Sequence, residues 1–383
     1  MISQTELAAL LATPKASVTL PTGPAQATPE QETNIAHLKA YYTPSSSSSS
    51  SPNSTSPCLP LTPAEQLFLS RETLLRFLIA TRNDLASTRT RLDKCLTWRR
   101  SMRIDEIHET AEVVAPEAVC GKEFVIGYSS KGQPVLHFCP NRSDTKESER
   151  QLRHVVYMLE RTADLMPGGV SNLVLIIDFA GKKSAPTSPG MAKQFISVLQ
   201  DFYPERLGTA VLLSIPWIVR KFLDFAFTFV DPVTKAKVRW HVDVVKEGIV
   251  PADEAIKDYG GDVDFTYNQD AYWDLLRDTA LAKRAEYLAH WEHLGGGVGQ
   301  SEWEFKQPLP ASPNDSRQTA VPTTATSQFT GRTAVSTPVR SESVSSEATI
   351  HENHGVGIQS VEKAVDGMVI REDASSVRLE VVA

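Results

Sequence analysis

The sequence predicts an α/β fold, because short continuous apolar segments alternate with helical patterns in the middle of the chain. Residues 173–179 and 210–215 are apolar runs of the kind found in strands that are covered on both faces. The segment between them places apolar side chains on one helical face, at Met191, Phe195, Val198, Leu199 and Phe202. Alternation of strand and helix favours a sheet in which at least some strands pair in parallel.

Elements on either side of this centre follow from the same patterns. Residues 124–128 and 134–138 have the composition of two strands, and the turn sequence Ser-Ser-Lys-Gly between them predicts a hairpin. The remaining elements are, in chain order, a helix over 147–165, a strand over 238–245 and an amphipathic helix over 271–293.

The folded core has a clear helical start. Thr62, Pro63 and Glu65 combine an N-cap, a proline in the first turn and the acidic residue of a capping box. Asn83 and Asp84 interrupt the apolar pattern that follows and cap the next helix. These signals predict a small N-terminal helical lobe.

Composition divides the chain into two tails and a core, and the core is expected to have two parts. Residues 1–60 are rich in Pro, Ser, Thr and Ala, and we expect them to be disordered, since such a segment buries too little apolar surface to offset its ordering entropy. The helical lobe is expected over 61–115 and the main domain over 116–293. Residues 294–383 are expected to be mostly disordered, beginning with a flexible glycine-rich exit at 295–299.

Charge and cysteine usage exclude several functional classes. The chain has 383 residues with a formal net charge of -7, so it has no global basic field for nucleic acid. Its four cysteines lack the spacing of a zinc site, and we expect reduced thiols in a cytoplasmic protein. The N-terminal sequence lacks the pattern of a secretory signal, and no uninterrupted apolar run reaches about 18 residues, so no membrane span is expected.

Residues 216–230 are unusual, because apolar and aromatic side chains surround most of the predicted helix. Only Arg220, Lys221 and Asp224 are charged. A helix that is apolar all round is buried or meets a membrane or a ligand. The pattern alone leaves two interpretations open: a core helix, or a lid with one face on a bound lipid and the other at the bilayer surface.

An enzyme on an α/β sheet is the main alternative of another class. Asp178 ends a predicted strand, where such folds often place a functional carboxylate, although we favour a role in capping a turn. The interval from Cys139 to Arg142 is too short for a phosphatase loop. His290 and His293 lie one helical turn apart without a third metal ligand, and we expect both to be solvated.

Several short motifs, taken in order, resemble the CRAL-TRIO family of lipid-binding proteins. They are Leu-Leu-Arg-Phe-Leu at 74–78, Trp-Arg at 98–99, Tyr-Pro-Glu-Arg-Leu-Gly at 203–208, Asp-Pro-Val-Thr at 231–234 and Tyr-Gly-Gly at 259–261. Each motif alone is weak, but together they stand in register over roughly 235 residues. Ile-Pro-Trp at 215–217, with Tyr-Asn at 267–268 and Tyr-Trp at 272–273, further resembles the fungal phosphatidylinositol transfer branch and its azole and multidrug-tolerance subgroup.

The resemblance implies a CRAL-TRIO lipid-binding fold. Its parts are a mixed β-sheet floor with flanking helices, a small N-terminal helical lobe and a deep apolar pocket closed by a mobile gate helix. The gate helix would be residues 217–229, whose sequence pattern is itself unusual. The expected gate and membrane contacts are Trp217, Arg220, Lys221, Phe222, Phe225, Phe227 and Phe229.

The resemblance also implies a site for the lipid headgroup. Glu205 and Lys237 occupy the motif positions that hold the inositol phosphate, and Thr234 adds a hydroxyl. Lys237 would supply a cation to the phosphodiester, while Glu205 would accept from inositol hydroxyls or orient the lysine. Spacing alone favours an ordinary surface ion pair, whereas the motif match favours the headgroup role. A family arginine is replaced here by Thr81, and Arg82 is the expected substitute.

The implied function is transfer or presentation of phosphatidylinositol between membranes. No catalysis and no cofactor beyond the bound phospholipid are expected. The expected partners are phosphatidylinositol, a second lipid such as a sterol, and a membrane surface bound peripherally and transiently, at the endoplasmic reticulum, lipid droplets or cell periphery. A lipid-sensing signalling scaffold and, more remotely, an α/β hydrolase-like enzyme remain as alternatives.

Overall fold

Five strands form one mixed sheet in the order β1-β2-β3-β4-β5. The computed structural model describes residues 2–43, 56–181, 188–217, 219–220, 223, 227, 230 and 232–307. The strands are β1 (Glu123–Tyr128), β2 (Pro134–Phe138), β3 (Leu173–Asp178), β4 (Leu207–Leu213) and β5 (Val238–Trp240). β1 and β2 form the predicted antiparallel hairpin, and β2 to β5 pair in parallel. The predicted α/β class is therefore confirmed.

Helices precede, connect and follow these strands. The described ones are α1 (Gln4–Ala12), α2 (Pro29–Tyr42), α3 (Pro63–Phe68), α4 (Arg71–Ala80), α5 (Leu85–Met102), α6 (Ile107–Ala118), α7 (Glu149–Asp164), α8 (Pro189–Phe202), α9 (Pro232–Ala236), α10 (Gln269–His293) and α11 (Glu302–Phe305). Two 3₁₀ helices lie at Pro140–Arg142 and Lys257–Tyr259.

The register of the strands defines two faces of the sheet, because directly paired residues point to the same side. What we call the front face carries Leu175, Ile177, Ala210, Leu212 and Val238. What we call the back face carries Val135, Val174, Ile176, Thr209, Val211 and Arg239.

Different segments cover the two faces. Leu223 and Phe227, from the segment between β4 and β5, pack against the front face. Val244, Val250 and Ala255, from the loop after β5, pack against the back face. Any ligand held between the sheet and residues 217–229 therefore lies on the front face.

The N-terminal lobe begins as its sequence predicts. The Thr62 hydroxyl accepts from the Glu65 amide at 3.2 Å, and the Glu65 carboxylate accepts from the Thr62 amide at 2.8 Å. Asp84 caps α5 by accepting from the Ser87 amide at 2.8 Å. The lobe then closes around a buried apolar cluster that includes Leu74, Leu78, Leu92 and Leu96.

The prediction that residues 1–60 are disordered is wrong for residues 2–43. Leu7, Leu10 and Leu11 of α1 are buried in the core beside β1 and α10. Ile35 and Leu38 of α2 are buried in the N-terminal lobe. These few apolar residues are spaced to bury one face of each helix, and the helices gain their stability from tertiary packing that composition does not report.

A strap of residues 15–23 joins α1 to the rest of the N-terminal segment along the outside of the β1–β2 hairpin. The Ser17 hydroxyl donates to Asp253 at 2.7 Å, and the Thr19 amide donates to the Ser130 carbonyl at 3.0 Å. The Pro21 side chain lies against Gly169, where a Cβ would be 2.8 Å away. The strap is thus bound to the domain at several points.

The expectation of disorder from residue 294 is also wrong for the described residues up to 307. The Gly299 amide donates to the Leu69 carbonyl at 2.8 Å, and Trp291 Nε1 donates to the Gly297 carbonyl at 3.1 Å. Glu302 accepts from the Ser70 hydroxyl at 2.7 Å. The glycines therefore lead into a short helix that packs against the N-terminal lobe.

Two smaller expectations need correction. His290 is buried, not solvated, and its Nδ1 lies 3.0 Å from the Phe305 carbonyl oxygen because α11 covers it. The strand expected over 238–245 ends at Trp240, since His241 takes a positive φ of 53° and Asp243 caps the turn that follows. In the described residues, no helix has the length and apolarity needed to cross a membrane.

Substitutions in α1 test whether the N-terminal segment belongs to the fold. Leu11→Ala should lower the free energy of unfolding by ~2–5 kcal/mol, because a fully buried leucine leaves a cavity. Thr5→Ala, at an exposed position of the same helix, should change it by less than ~0.5 kcal/mol. Urea unfolding of the full chain measures both, and equal, negligible effects would show that α1 is not packed.

Candidate functional site

A buried ion pair joins the Trp-Arg and Tyr-Pro-Glu-Arg motifs. Arg99 of α5 donates to both carboxylate oxygens of Glu160 in α7, at 2.8 and 3.2 Å. The Tyr203 hydroxyl, just after α8, donates to the same carboxylate at 2.8 Å. Burial acts to raise the pKa of Glu160, but Arg99 and the Tyr203 hydroxyl outweigh it and hold the pKa at about 2. One charged carboxylate therefore fixes three helices to one another.

Aromatic packing reinforces this junction. The rings of Trp98 and Phe202 stack with centroids 4.1 Å apart, and Tyr203 meets the Trp98 ring edge-on at 5.9 Å. Such contacts add about 0.5–1.5 kcal/mol each beyond the area they bury. The turn that carries Glu205 is thus anchored on a rigid base.

Glu205 leaves this turn in an uncommon backbone conformation. Its φ is 57°, a left-handed value that costs a non-glycine residue about 1–2 kcal/mol. Arg206 follows and bonds inward, donating from Nη1 to the Ser171 carbonyl at 2.8 Å, while its own carbonyl accepts from the Leu173 amide at 2.9 Å. Strain of this kind is concentrated at functional sites, and here it accompanies a carboxylate beside the start of β4.

The structure brings Glu205 and Lys237 together. Lys237 Nζ lies 3.2 Å from Glu205 Oε2, and the side chains are 24% and 35% exposed, respectively. Lys237 is held just before β5, because its carbonyl accepts from the Ala210 amide at 3.0 Å and its amide donates to the Thr234 carbonyl at 3.1 Å. Thr234 lies half-buried in α9, directly beside the pair in the chain. The pair is open to solvent on one side and fixed to the sheet on the other.

Arg82 stands apart from this pair. It follows α4 in a left-handed conformation with an exposed side chain, and no contact described for it involves Glu205 or Lys237. Thr81, at the position of the missing family arginine, turns its hydroxyl inward to the Phe77 carbonyl at 2.9 Å. The structure therefore does not place Arg82 in the site.

Arg91 is a cation that the sequence did not identify. Its Nε donates to the Asp201 carbonyl at 3.1 Å, and its Nη2 donates to the Gln200 carbonyl. Burial lowers the pKa of Arg91, and the negative charges of Asp201 and Glu205 oppose that shift. Arg91 is thus close enough to Glu205 to feel its charge. In the sequence, the signal that could have identified Arg91 is its position just before Leu92, a fully buried residue of α5.

The front face of the sheet keeps accessible apolar surface near this pair. Leu175 and Ile177 are partly exposed there, whereas Val174, Ile176 and Val211 on the back face are at most 1% exposed. At Leu175 and Ile177 the front face therefore keeps apolar surface that is not fully covered.

Three of the predicted gate residues are described. Trp217 is 70% exposed, an unusual exposure for a tryptophan. The Arg220 guanidinium lies 4.2 Å from the centroid of the Trp240 ring, and the Phe227 ring lies 5.2 Å from it. Lys221, Phe222, Phe225 and Phe229 lie outside the described residues. The described part has an exposed apolar end and an apolar residue on the front face.

The charged groups of the Leu-Leu-Arg-Phe-Leu motif and of α11 are structural. Arg76, in the Leu-Leu-Arg-Phe-Leu motif, is buried, and burial together with the like charge of Arg206 lowers its pKa to about 9. Glu302 offsets both charges, and its carboxylate also binds Lys306 at 2.8 Å. This cluster attaches α11 to α4. Arg76 is buried within it and does not face a ligand.

The residues considered for catalysis are not assembled into a site. Asp178 accepts from the Ala180 amide at 2.9 Å, the turn-capping role predicted for it. Cys139 is buried, and burial raises the pKa of its thiol. Within the described ranges, no group of three or more His, Cys, Asp or Glu side chains is arranged to hold a metal ion.

Comparison with known proteins identifies the family. The family model of the CRAL/TRIO domain matches residues 118–261. A CRAL-TRIO domain-containing protein of Schizosaccharomyces pombe is 35% identical over 244 residues, which are 63% of this chain but only 24% of that protein. Phosphatidylinositol transfer protein PDR17 of Saccharomyces cerevisiae is 33% identical over 260 residues, 64% of this chain and 73% of that one.

Two matches are more distant. The Sec14 cytosolic factor of Schizosaccharomyces pombe is 26% identical over 214 residues, 50% of this chain and 75% of that one. The crystal structure of Sfh5 aligns with 53% of this chain and 74% of its own, at 15% identity and a TM-score of 0.41.

The buried ion pair has a distinctive pH signature. Glu160→Gln should lower the free energy of unfolding by ~3–5 kcal/mol at neutral pH, because Arg99 would lose its charged partner. The folded-state pKa of Glu160, about 2, lies below its unfolded value, so its stabilisation is complete above that unfolded value and is lost as pH falls towards 2. The difference between wild type and variant should therefore shrink on acidification.

Urea unfolding over a pH series measures this difference. Glu106→Gln is the matched control, because Glu106 pairs with Arg103 on the surface and should contribute at most about 1 kcal/mol. A loss in Glu160→Gln as small as in the control, or one that does not vary with pH, would contradict the assignment.

Proposed function

Because the chain belongs to the CRAL/TRIO domain family, we propose that it binds one phosphatidylinositol molecule and transfers or presents it between membranes. The observation that carries the proposal is the Glu205–Lys237 pair, a solvent-accessible cation and carboxylate fixed beside a sheet face that keeps apolar surface. The name of PDR17, a phosphatidylinositol transfer protein, supports the choice of lipid. We place the chain in the same branch, in the azole and multidrug-tolerance subgroup.

The headgroup chemistry uses the pair directly. Lys237 donates to the phosphodiester oxygens, and Glu205 accepts hydrogen bonds from inositol hydroxyls. Without ligand the two side chains satisfy each other at 3.2 Å, so binding exchanges one partner for another instead of exposing a buried charge. Thr234 contributes a hydroxyl, and Arg91, whose pKa the charge of Glu205 influences, is a further candidate cation beside the predicted Arg82.

The acyl chains supply most of the affinity and set the need for a protein carrier. A phospholipid exposes on the order of 30 methylenes on leaving a bilayer, at about 0.8 kcal/mol each. Escape through water is therefore extremely slow, and the carrier has to offer an apolar surface before the chains leave the membrane. Leu175, Ile177, Leu223 and Phe227 line the front face where this surface would be provided.

The gate segment would admit the lipid. Trp217 at one end is exposed enough to enter the interfacial region of a bilayer, where tryptophan is favoured. Arg220, beside it, can meet anionic headgroups near the surface. Membrane association is then peripheral and transient. No bond is made or broken in this cycle, so it requires no nucleophile and no cofactor; a sterol is the second lipid that we propose for the same pocket.

A transfer assay tests the headgroup assignment. Lys237→Ala should reduce transfer of labelled phosphatidylinositol between two liposome populations about ten- to hundredfold, because a charged hydrogen bond to phosphate is lost. Lys235→Ala removes the same charge from an exposed position of α9 and should transfer normally. Equal transfer by all three proteins would refute the headgroup role, and absence of transfer by the folded wild type would favour the scaffold interpretation.

The gate has a separate kinetic test. Trp217→Ser should slow lipid exchange several-fold without lowering the melting temperature, because the Trp217 side chain is largely exposed. Phe227→Asp should slow exchange further, since it places a charge against the front face. Stopped-flow exchange of a fluorescent lipid measures both rates. Val119→Ser, another exposed apolar position, is the control, and unchanged exchange in both gate variants would show that the segment is only core.

A further inference from the structure

A cavity lies at the edge of the sheet where β3, β4 and β5 begin. It is a cleft of about 700 Å³, which is within the usual size range of small-molecule sites. One wall is the β1–β2 turn at 129–133, and another is the loop at 247–249. Lys237 lines this cleft, whereas Glu205 does not. Lys237, the proposed headgroup cation, therefore stands between this cleft and Glu205.

The cleft belongs to the back face. Thr209 and Arg239, which line it, pair in register with Val174 and Val211 and so point away from the front face. Phe227 and the rest of the described gate residues pack on the front. A ligand in this cleft is consequently separated from the acyl-chain surface by the sheet itself.

Local irregularities build the floor of the cleft. Gly208 is an extra residue between the Leu173–Leu207 and Val174–Thr209 pairs, which makes a bulge at the start of β4. A Cβ on Gly208 would collide with the side-chain amide of Gln133. The glycine thus allows that amide to lie across the floor, where it donates to Asn172 Oδ1 at 2.5 Å.

The strap of residues 15–23 completes the enclosure. Pro21 lines the cleft, and the strap is held there by the bonds of Ser17 to Asp253 and of the Thr19 amide to Ser130. Leu20 packs beside Gly132, where no side chain would fit. The cleft therefore depends on an N-terminal segment whose composition resembles a disordered tail.

The lining has the chemistry of an anion site. Three cations, Lys131, Lys237 and Arg239, and one carboxylate, Glu247, line the cleft in a protein whose net charge is -7. The remaining polar groups are hydroxyls and amides, which include Ser171, Asn172 and Thr209. Cations bind phosphate oxygens, and neutral hydroxyl and amide groups bind sugar-like hydroxyls.

We propose that this back-face cleft binds a phosphorylated polyol, with its phosphate on Arg239 and Lys131 and its hydroxyls on the Asn172 side. An inositol phosphate and the phosphorylated headgroup of a membrane lipid share this chemistry. Lys237 borders both this cleft and the Glu205 pair, so occupancy of the cleft competes for the cation that holds the lipid headgroup. Binding of a polar ligand in the cleft would thereby weaken binding of the lipid headgroup at the Glu205–Lys237 pair.

Titration calorimetry of the full chain with inositol trisphosphate tests the site. Arg239→Gln and Lys131→Gln should each weaken binding about five- to tenfold, since each removes one charged contact. Ser171→Glu should abolish detectable binding by placing a carboxylate in the cleft. Lys235→Gln, an exposed cation outside the cleft, should bind as the wild type does.

A flotation assay distinguishes the two sources of the phosphate. Phosphatidylcholine vesicles with and without phosphatidylinositol monophosphate serve as the probe. Capture only by the phosphorylated vesicles, lost in Arg239→Gln, assigns the ligand to a membrane headgroup; binding of soluble trisphosphate alone, with the same loss, assigns it to a free metabolite. No binding of either probe by the wild type, or binding by Arg239→Gln and Ser171→Glu that is as tight as in the wild type, would overturn the proposal.

The lipid-transfer proposal fails independently of this one. Arg239→Gln should transfer phosphatidylinositol normally when no polyol phosphate is present, because Arg239 lies on the back face. A wild type that binds trisphosphate through Arg239 but transfers no lipid would leave the cleft assignment intact and remove the carrier function.

Discussion

The buried contact of Arg99 and Tyr203 with Glu160 is the constraint on which the rest of the site depends. It joins α5 of the N-terminal lobe, α7 of the sheet domain and the turn after α8 through one carboxylate. Because the turn is fixed, Glu205 can hold its left-handed conformation and present its carboxylate to Lys237. A buried charge of this kind adds little net stability over an apolar replacement, but it tolerates no loss of a partner. The contact matters to the site because it fixes the positions of α5, α7 and the turn, more than because it raises the free energy of unfolding.

The two faces of the sheet offer different environments: apolar side chains on the front face and a polar cleft on the back face. Its front face keeps apolar side chains such as Leu175 partly exposed, whereas on its back face Val174, Ile176 and Val211 are buried. Where the parallel strands begin, the back face opens into a polar cleft enclosed by the strap and the hairpin turn. Lys237 stands at the boundary of the two. Under the two proposals, this one lysine would link the occupancy of the cleft to the proposed headgroup site.

The sequence predicted correctly those helices and strands that are determined by neighbouring residues. The capping box of Thr62 and the parallel strands follow from nearest neighbours and apolar runs, and both are confirmed. Disorder was wrongly expected for residues 2–43, because Leu11 and its few apolar companions are stabilised by distant partners that composition cannot show. His290 is buried by a helix twelve positions or more further on, and Arg91 approaches Glu205 only because α5 packs on α8. Packing between residues that are distant in the sequence, not local helix propensity, determines all three features.

Native mass spectrometry of the full chain after incubation with mixed-lipid vesicles tests the central claim most directly. The account predicts one lipid per protein chain, with the mass of phosphatidylinositol even when other phospholipids are in excess, since Glu205 and Lys237 select the headgroup and the front face holds one pair of acyl chains. Chains that carry no lipid, or that carry phospholipids in proportion to the vesicle composition, would contradict it.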